Sequence, residues 1–270
     1  MNIQQNPPLV AVASSYHLDI VDSGLADVST DWQMRHVSSP YTRLYVIYGG
    51  GGRIHHHGRD ILLKEGCAYL IPAQLLFDYA CDNSMTQLYF HLNLYAADGH
   101  DMLMQLHDSG ELTMTAAERS ALLSAWRGDT IGDALQLMQQ VQALIARFVA
   151  TSPLGRQGVM PTSPFLQRVY ALARQPGDAR NTVNSMAGRL SMSPSTLAKR
   201  FKAETGTTLG RYLDGLLLQK AQQKLLSTDE PIGRIAEALG FCDQFYFSRY
   251  FKQRRQETPS RYRQRLQYRL

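Results

Sequence analysis

The chain is poor in cysteine, in tryptophan and in long apolar runs. Its 270 residues hold three cysteines and two tryptophans. Cys67, Cys81 and Cys242 are odd in number and far apart, which excludes a disulfide framework and a local zinc cluster and fits a reducing cytoplasm. No apolar run approaches the roughly 18 residues of a membrane-spanning helix; stretches such as 75–77 and 143–146 end after a few residues. No membrane partner is therefore expected. Residues 1–9 lack a basic region and carry Pro7 and Pro8, unlike a secretory leader. With 44% hydrophobic and 19% charged residues, the chain has the mixture of a globular protein rather than a disordered one.

Acidic residues are scarce in one part only. Residues 161–270 carry 19 Lys+Arg against 8 Asp+Glu, a net of +11, whereas residues 1–160 carry 9 against 15, a net of −6. The overall +5 conceals this division. A basic segment of that size is the electrostatic footprint of nucleic-acid binding. A solvated basic surface gives the same count, so a motif has to decide.

The expected organisation is an α+β multidomain chain in three parts: a β domain over 1–114, a helical segment over 115–160 and an all-α domain over 161–270. Residues 9–95 read as short strands. Residues 41–48 are aromatic and β-branched and stop at Gly49, Gly50, Gly51 and Gly52. Residues 61–64, 67–71 and 85–94 continue the pattern, with turn signals at 65–66, Pro72 and 81–84. Many short strands at close spacing point to a small β-barrel or sandwich. Thr115 with Glu118 forms a capping-box pattern. Residues 133–150 place Leu137, Val141, Leu144, Ile145 and Phe148 at helical spacing, an amphipathic helix that packs either on its own barrel or on a second subunit. Residues 151–164, with three prolines and two glycines, read as a linker.

Beyond Phe165 the chain is helical and repeats itself with a period near 50. Leu197 and Lys202 align with Phe247 and Lys252, and Thr208, Arg211 and Tyr212 with Thr258, Arg261 and Tyr262. Ala187, Leu190 and Met192 fall opposite Ala236, Leu239 and Phe241 with the offset reduced to 49. Each copy is a short helix, a tight turn and a second helix. Ser193 caps the second helix of the first copy with Pro194 at its first position. In the other copy Gly240 stops one helix and Asp243 caps the next. A helix-turn-helix in a basic segment is an arrangement of DNA readers.

Periodicity separates the two sides of each second helix. Phe247, Tyr250 and Phe251 share one side; Phe245, Ser248, Arg249 and Lys252 share the other, with Gln244 at its flank. The matching positions of the first copy are Ser195, Ala198, Lys199 and Lys202. Lys199 and Arg249 are the candidates for base contact, since an arginine can bind guanine O6 and N7 together, and Gln244 suits adenine. Ser195 and Thr196 are candidates for phosphate or base contact. Lys202 and Lys252, a turn further on, either suit phosphate or face solvent. Arg261, Arg263, Arg265 and Arg269 form a basic tail.

These residues carry a family resemblance. Ile232, Ile235, Ala236, Leu239, Gly240, Phe241, Asp243, Tyr246, Phe247, Ser248, Arg249, Phe251 and Lys252, followed by Thr258, Pro259, Tyr262 and Arg263, resemble the C-terminal signature of AraC/XylS-type transcription regulators. The resemblance covers about 100 residues. It implies two helix-turn-helix units joined by a long helix, here 209–227, that place their second helices in successive major-groove segments on one face of double-stranded DNA. It also implies action beside RNA polymerase, often as an activator. Three positions depart from the family pattern. Gln256 replaces a glycine, which predicts a differently shaped helix end. Leu217 replaces a frequent arginine. Arg200 stands where the second copy has Tyr250, which predicts a snorkelling side chain or looser packing.

Gly49, His55 and His57 resemble the start of a cupin metal motif. Ile61 and Leu62 stand where its glutamate belongs, and Glu65 comes late. The second half of the pattern begins at Gly66 and Pro72, but Gln74 replaces a glycine and Phe77 the last histidine. A site short of two of its four protein ligands does not hold a catalytic metal, so the expectation is a cupin-like barrel with no metal and no cofactor. His55, His56 and His57 then either line a pocket or face solvent from a turn. A metal-free barrel fused to a DNA reader is most economically a sensor of a small effector, a sugar or sugar derivative by the resemblance, and a homodimerisation unit. Trp32, Arg35, Arg43, Tyr45, His55, His57, Tyr69 and His91 are the candidate effector contacts, with Tyr48 and Asn93 also available. No catalytic arrangement is recognisable. The rival readings are a metal-dependent cupin enzyme with a DNA-binding tail and a regulator without a small-molecule effector.

Overall fold

The computed structural model describes residues 7–156, 162–175 and 178–267. The chain forms two compact units, one of residues 17–95 with 101–158, the other of residues 1–16, 96–100 and 159–270. The boundary expected at 160/161 and most of the expected linker's second half fall on 157–161, outside the described residues. A short helix α1 (Pro7–Ala13) opens the chain.

The sheet unit contains β1 (His17–Ser29), β2 (Gln33–Val37), β3 (Thr42–His56), β4 (Arg59–Lys64), β5 (Cys67–Ile71), β6 (Phe77–Tyr95) and β7 (Gly110–Thr113), followed by α2 (Ala116–Arg127) and α3 (Ile131–Thr151). All strand pairs are antiparallel, in the order β1-β6-β3-β5-β7, with β2 also on β6 and β4 also on β3. The expected sheet-rich domain is present. Among the described residues its end strands β1 and β7 do not pair with each other.

Two expected turns are absent. β3 does not stop at Gly49 but runs on to His56, and residues 81–84 lie inside β6 rather than reversing the chain. Gly50 pairs with Met85 and Gly52 with Cys81, so Asp82, Asn83 and Ser84 bulge opposite Gly51 alone. Gly50 has φ +66°, and a Cβ there would sit 2.0 Å from the Ser84 carbonyl oxygen. Turn-forming residues here absorb a bulge, and glycine gives the room for it.

Alternation gives the sheet two chemically distinct faces. Leu44, Val46, Ala68, Leu70, Leu88, Phe90 and Leu92 form one, packed with Leu122, Val141, Leu144, Ile145 and Phe148 of α2 and α3 in a single core. Each buried Leu, Ile, Val or Phe among them contributes about 1.5–3 kcal/mol. Both helices start in capping boxes, Thr115 with Glu118 and Thr130 with Asp133. α3 packs on its own sheet, yet Ile131, Leu135 and Met138 remain exposed along its N-terminal half.

The helical unit contains α4 (Pro164–Ala173), α5 (Val183–Arg189), α6 (Pro194–Thr205), α7 (Leu209–Ser227), α8 (Ile232–Ala238), α9 (Gln244–Arg255) and α10 (Pro259–Gln267). The first copy, α5 and α6, buries Met186, Ala187, Leu190, Leu197 and Phe201 with α4 and with Leu209, Tyr212, Leu213 and Leu216 of α7. The second, α8 and α9, buries Ile235, Ala236, Leu239, Phe241, Phe247 and Phe251, and the ring of Tyr262 in α10 lies 5.2 Å from that of Phe251.

The turns explain the change of offset. Ser191 (φ +54°) and Gly240 (φ +81°) take the same left-handed conformation, and the N–H groups of Met192 and Phe241 reach Ala187 and Ala236 at 2.9 and 3.0 Å. Ser193 and Asp243 then cap the second helices. One residue more separates stop from cap in the second copy, and Cys242, exposed, fills that place.

Candidate nucleic-acid interface and effector site

Capping sets the start of the second helix of each copy. Ser193 Oγ accepts the Thr196 N–H at 3.2 Å, and Asp243 Oδ1 accepts the Tyr246 N–H at 2.7 Å. That backbone donation holds the Asp243 carboxyl below the usual aspartate range. Leu197 and Phe201, and likewise Phe247 and Phe251, turn inward. Outward stand Ser195, Thr196, Lys199 and Lys202 on α6, and Gln244, Phe245, Arg249 and Lys252 on α9, with Ser248 half-buried. Phe245 is 76% exposed, far more than a ring with an intramolecular role requires. Asp243, Phe245, Ser248, Arg249, Lys252 and Thr258 line one open depression.

Charge pairing distinguishes this face from residues close to it. Arg200 pairs with Glu204 at 2.8 Å, Arg234 with Glu237 at 3.0 Å and Arg254 with Asp214 at 2.5 Å. Among the described residues no ion pair is formed by Lys199, Lys202, Arg249 or Lys252. Unpaired cations can donate to base edges and phosphates, and the exposed Phe245 ring beside Arg249 and Lys252 can offer an apolar surface to a thymine methyl. In the tail, Arg261 is exposed and Arg263 Nε donates to the Leu225 carbonyl at 3.0 Å. The Arg265 side chain and Arg269 lie outside the described residues.

The three departures resolve differently. Gln256 (φ +61°) repeats the left-handed cap of Gly206 (φ +76°), its N–H on Lys252 O as that of Gly206 is on Lys202 O. The expected difference in shape is therefore corrected: the helix ends alike, with a side chain in a conformation glycine adopts more readily. Leu217 is buried in α7. Arg200 stacks over the Phe165 ring at 4.1 Å, so the packing is kept by a cation–π contact. Sequence reasoning missed Asp214, which takes Arg254 Nε at 2.8 Å on both carboxylate oxygens while its carbonyl accepts the Tyr250 hydroxyl at 3.1 Å.

On the other face of the sheet, polar and aromatic residues meet in register. Arg43 pairs with His91, Tyr45 with Tyr89 and Ile47 with Gln87; Asp22 and Gly24 of β1 lie opposite His91 and Tyr89. A Cβ at Gly24 would sit 2.7 Å from the Tyr89 hydroxyl, so this glycine makes room for that side chain. Arg43 Nη1 donates to Tyr45 Oη at 3.0 Å. The Trp32 ring lies 4.2 Å from Tyr79 and 6.1 Å from Tyr45, and Tyr41 stacks on His91 at 4.4 Å. Burial, and then the Arg43 charge, push the His91 imidazole well below its usual pKa, leaving it neutral.

Trp32, Arg43, Tyr45 and His91 thus come together. Tyr69 lies beside Tyr45 on β5, but its hydroxyl donates to Leu62 O at 2.8 Å and accepts the Lys64 N–H at 3.0 Å, a structural use. Arg35 is exposed on β2; His55 is half-exposed and pairs with Asp60 at 2.7 Å; His57 (φ +49°) sits in the β3–β4 turn. These three stand apart from the cluster. Tyr48 donates to Arg119 O at 2.7 Å, and Asn93 donates to the buried Asp101 carboxylate at 2.8 Å. Tyr41, Phe77, Tyr79, Tyr89 and Gln87 were not anticipated, although Gln87, Tyr89 and His91 alternate with Leu88, Phe90 and Leu92.

Of the cupin-type positions, His55 pairs with Asp60 and His57 stands in the β3–β4 turn. The histidine that turns inward is His56, whose Nε2 lies 2.7 Å from Ser109 Oγ and 3.2 Å from Asp108 Oδ1. One ligand atom each of His56, His57 and Asp108 lies within 4.8 Å of the others.

Residues 186–265 match the helix-turn-helix domain family. Over 219 residues the chain is 30% identical to the MmsAB operon regulatory protein of Pseudomonas aeruginosa, covering 77% of this chain and 69% of that protein. Over 104 residues it is 36% identical to the HTH-type transcriptional activator RhaS of Pectobacterium carotovorum, covering 38% and 35%. ToxT of Vibrio cholerae shares the fold over 93% of this chain and 99% of that one, with TM-score 0.50 at 13% identity. No described helix is long and apolar enough to cross a membrane.

Proposed function

The chain belongs to the AraC/XylS family of DNA-binding transcription regulators, and from that premise we propose how its parts divide the work. α6 and α9 enter successive major-groove segments of double-stranded DNA. Arg249 and Lys199 contact base edges; Gln244, Phe245, Ser248, Ser195 and Thr196 assist; Lys202 and Lys252 hold phosphates. The observation that carries this reading is the repeated helix-turn-helix whose outward cations form no ion pair among the described residues.

Residues 1–114 sense a small metabolite, of the sugar or sugar-derivative class, through the face that holds Trp32, Arg43, Tyr45 and His91. Residues 115–160 couple and dimerise: Ile131, Leu135 and Met138 recur at helical spacing on α3, and their exposure fits a second copy of this chain. The protein acts in the cytoplasm beside RNA polymerase as an activator, by binding rather than by catalysis. An activator among its relatives supports that direction.

Footprinting on DNA around the protein's own gene, with and without sugars and sugar derivatives, tests this. Protection of two elements on one DNA face is expected, altered by one compound that also raises the thermal midpoint saturably. Protection with no sequence preference would remove the reading. Stoichiometric iron, manganese or zinc on His55 and His57 in the purified protein would favour the metal-dependent enzyme instead.

A further inference from the structure

Arg43 is 6% exposed. Its Nε and Nη2 donate to Ser39 Oγ at 3.2 and 2.9 Å, and its Nη1 to the Tyr45 hydroxyl at 3.0 Å. A guanidinium carries five N–H groups and a full charge, so these bonds leave two donors unused and the charge without an opposite. The other close neighbours are rings, Tyr41 at 5.6 Å and Phe77 at 5.7 Å. Among the described residues Arg43 makes no ion pair. The acid on this face, Asp22, lies beyond His91 in the register. A buried charge without a counter-charge is costly, and folded proteins pair such groups or use them.

A second observation points the same way. His91 Nδ1 and Gln87 Oε1, on the same face of β6, are buried and have no hydrogen-bond partner among the described residues; Asp22 Oδ2 is 3.6 Å from His91 Nδ1, beyond hydrogen-bond reach. One cation, two unused polar ends and the rings of Trp32 and Tyr41 therefore share one interior face. A neutral sugar can accept the spare N–H bonds but leaves the charge as it was. A carboxylate accepts two parallel N–H bonds from a guanidinium and cancels its charge.

We infer that the effector is a small hydroxylated carboxylate, a sugar acid or hydroxy acid, whose carboxylate pairs with Arg43 and whose hydroxyls meet His91 and Gln87. This rests on the reading of the sheet unit as the effector site and narrows its ligand from sugars in general to their acids.

Matched acid and neutral probes decide it: gluconate against glucose and glycerate against glycerol, titrated into the full-length protein at fixed ionic strength by calorimetry and thermal shift. At least one acid is expected to bind saturably, about a hundredfold or more tighter than its neutral partner. Arg43→Gln is expected to lose that binding by a similar factor, yet to melt no lower than wild type without ligand, because it removes an uncompensated charge. Neutral probes binding as well as acids, or Arg43→Gln keeping acid affinity, overturns the carboxylate assignment and leaves the sensor reading standing. No binding in either arm also overturns it, and the footprinting screen then judges the sensor reading separately. If Arg43→Gln fails to fold, the acid–neutral comparison in the wild-type protein still decides.

Discussion

The two helix-turn-helix copies share a backbone and differ in what they display. Both pass through a left-handed residue, both cap the second helix with a side-chain oxygen, and both end it in a left-handed cap. α6 shows small hydroxyls and lysines, whereas α9 shows an exposed ring and an arginine. The interiors differ too: the second copy stacks Phe241, Phe247, Phe251 and Tyr262 at 5.1 to 6.0 Å. A lysine is a mobile point charge, while an arginine is a planar fork matched to guanine. On the proposed reading one scaffold serves two uses, with sharper base reading expected of the second copy and adaptable anchoring of the first.

The strongest way to break that comparison is to remove its interior. Phe247→Ala should cost about 3–5 kcal/mol, lower the thermal midpoint and abolish specific DNA binding. Leu197→Ala, its counterpart, should cost about 2–5 kcal/mol and leave part of the binding intact. Equal losses of specific binding would remove the asymmetry.

Next comes the reading chemistry. Arg249→Lys gives the second copy the side chain of the first and should cost about 1–3 kcal/mol on a good operator, with specificity relaxed at one base pair. Lys202→Ala should weaken all sequences alike and reduce the salt slope by about one. Binding to a panel of single-base operator variants at several salt concentrations separates the two effects.

Smaller effects test the caps. Gln256→Gly should stabilise the protein by about 0.5–1 kcal/mol, and Gly206→Ala should destabilise it by about as much, because only glycine adopts that conformation without strain. Chemical denaturation measures both. The smallest effect concerns Asp243. Its folded-state pKa is depressed by the Tyr246 N–H, so its contribution is present above the ordinary aspartate value of about 3.9 and fades as pH falls below it. Asp243→Asn keeps a capping oxygen and should flatten that part of the acid denaturation curve, whereas Ser193 in the first copy gives no such dependence.

Much of the helical unit was legible because its signals are local. Ser193 with Pro194, Gly240 with Asp243, and the repeat of Leu197 and Phe247 each mark a boundary by themselves, and α7 spans the expected 209–227. The sheet was less legible because one bulge changes the facing of every later residue in its strand. Arg43, Tyr45 and Ile47 turn one way on odd positions, and counting on in twos sends His55 and His57 the same way. The register shift at Ile47/Gly49 adds one residue on β3 and reverses its parity, whereas the shift at Gly50/Gly52 adds its residues on β6, so Ile54 and His56 are buried instead. A slip of one residue exchanges the faces, and glycines beside an Asp-Asn-Ser run read equally as a turn. Asp214 gave no signal, since its partner lies 40 residues away.

Asp214 has a consequence for DNA geometry. It stands in the second turn of α7, between residues packed with the first copy, and it holds Arg254 and Tyr250 of α9. The two reading helices are thus fixed in rotation about a common axis, like teeth on one key. Base pairs turn by about 35° each along a duplex that repeats in about 10. One base pair inserted between the two elements swings the second out of phase, and a pair of helices tied through Asp214 does not follow it. With α6 and α9 both on DNA as proposed, the molecule is expected to measure helical phase along with base identity, and an operator with both elements intact but wrongly spaced would be a different operator to it.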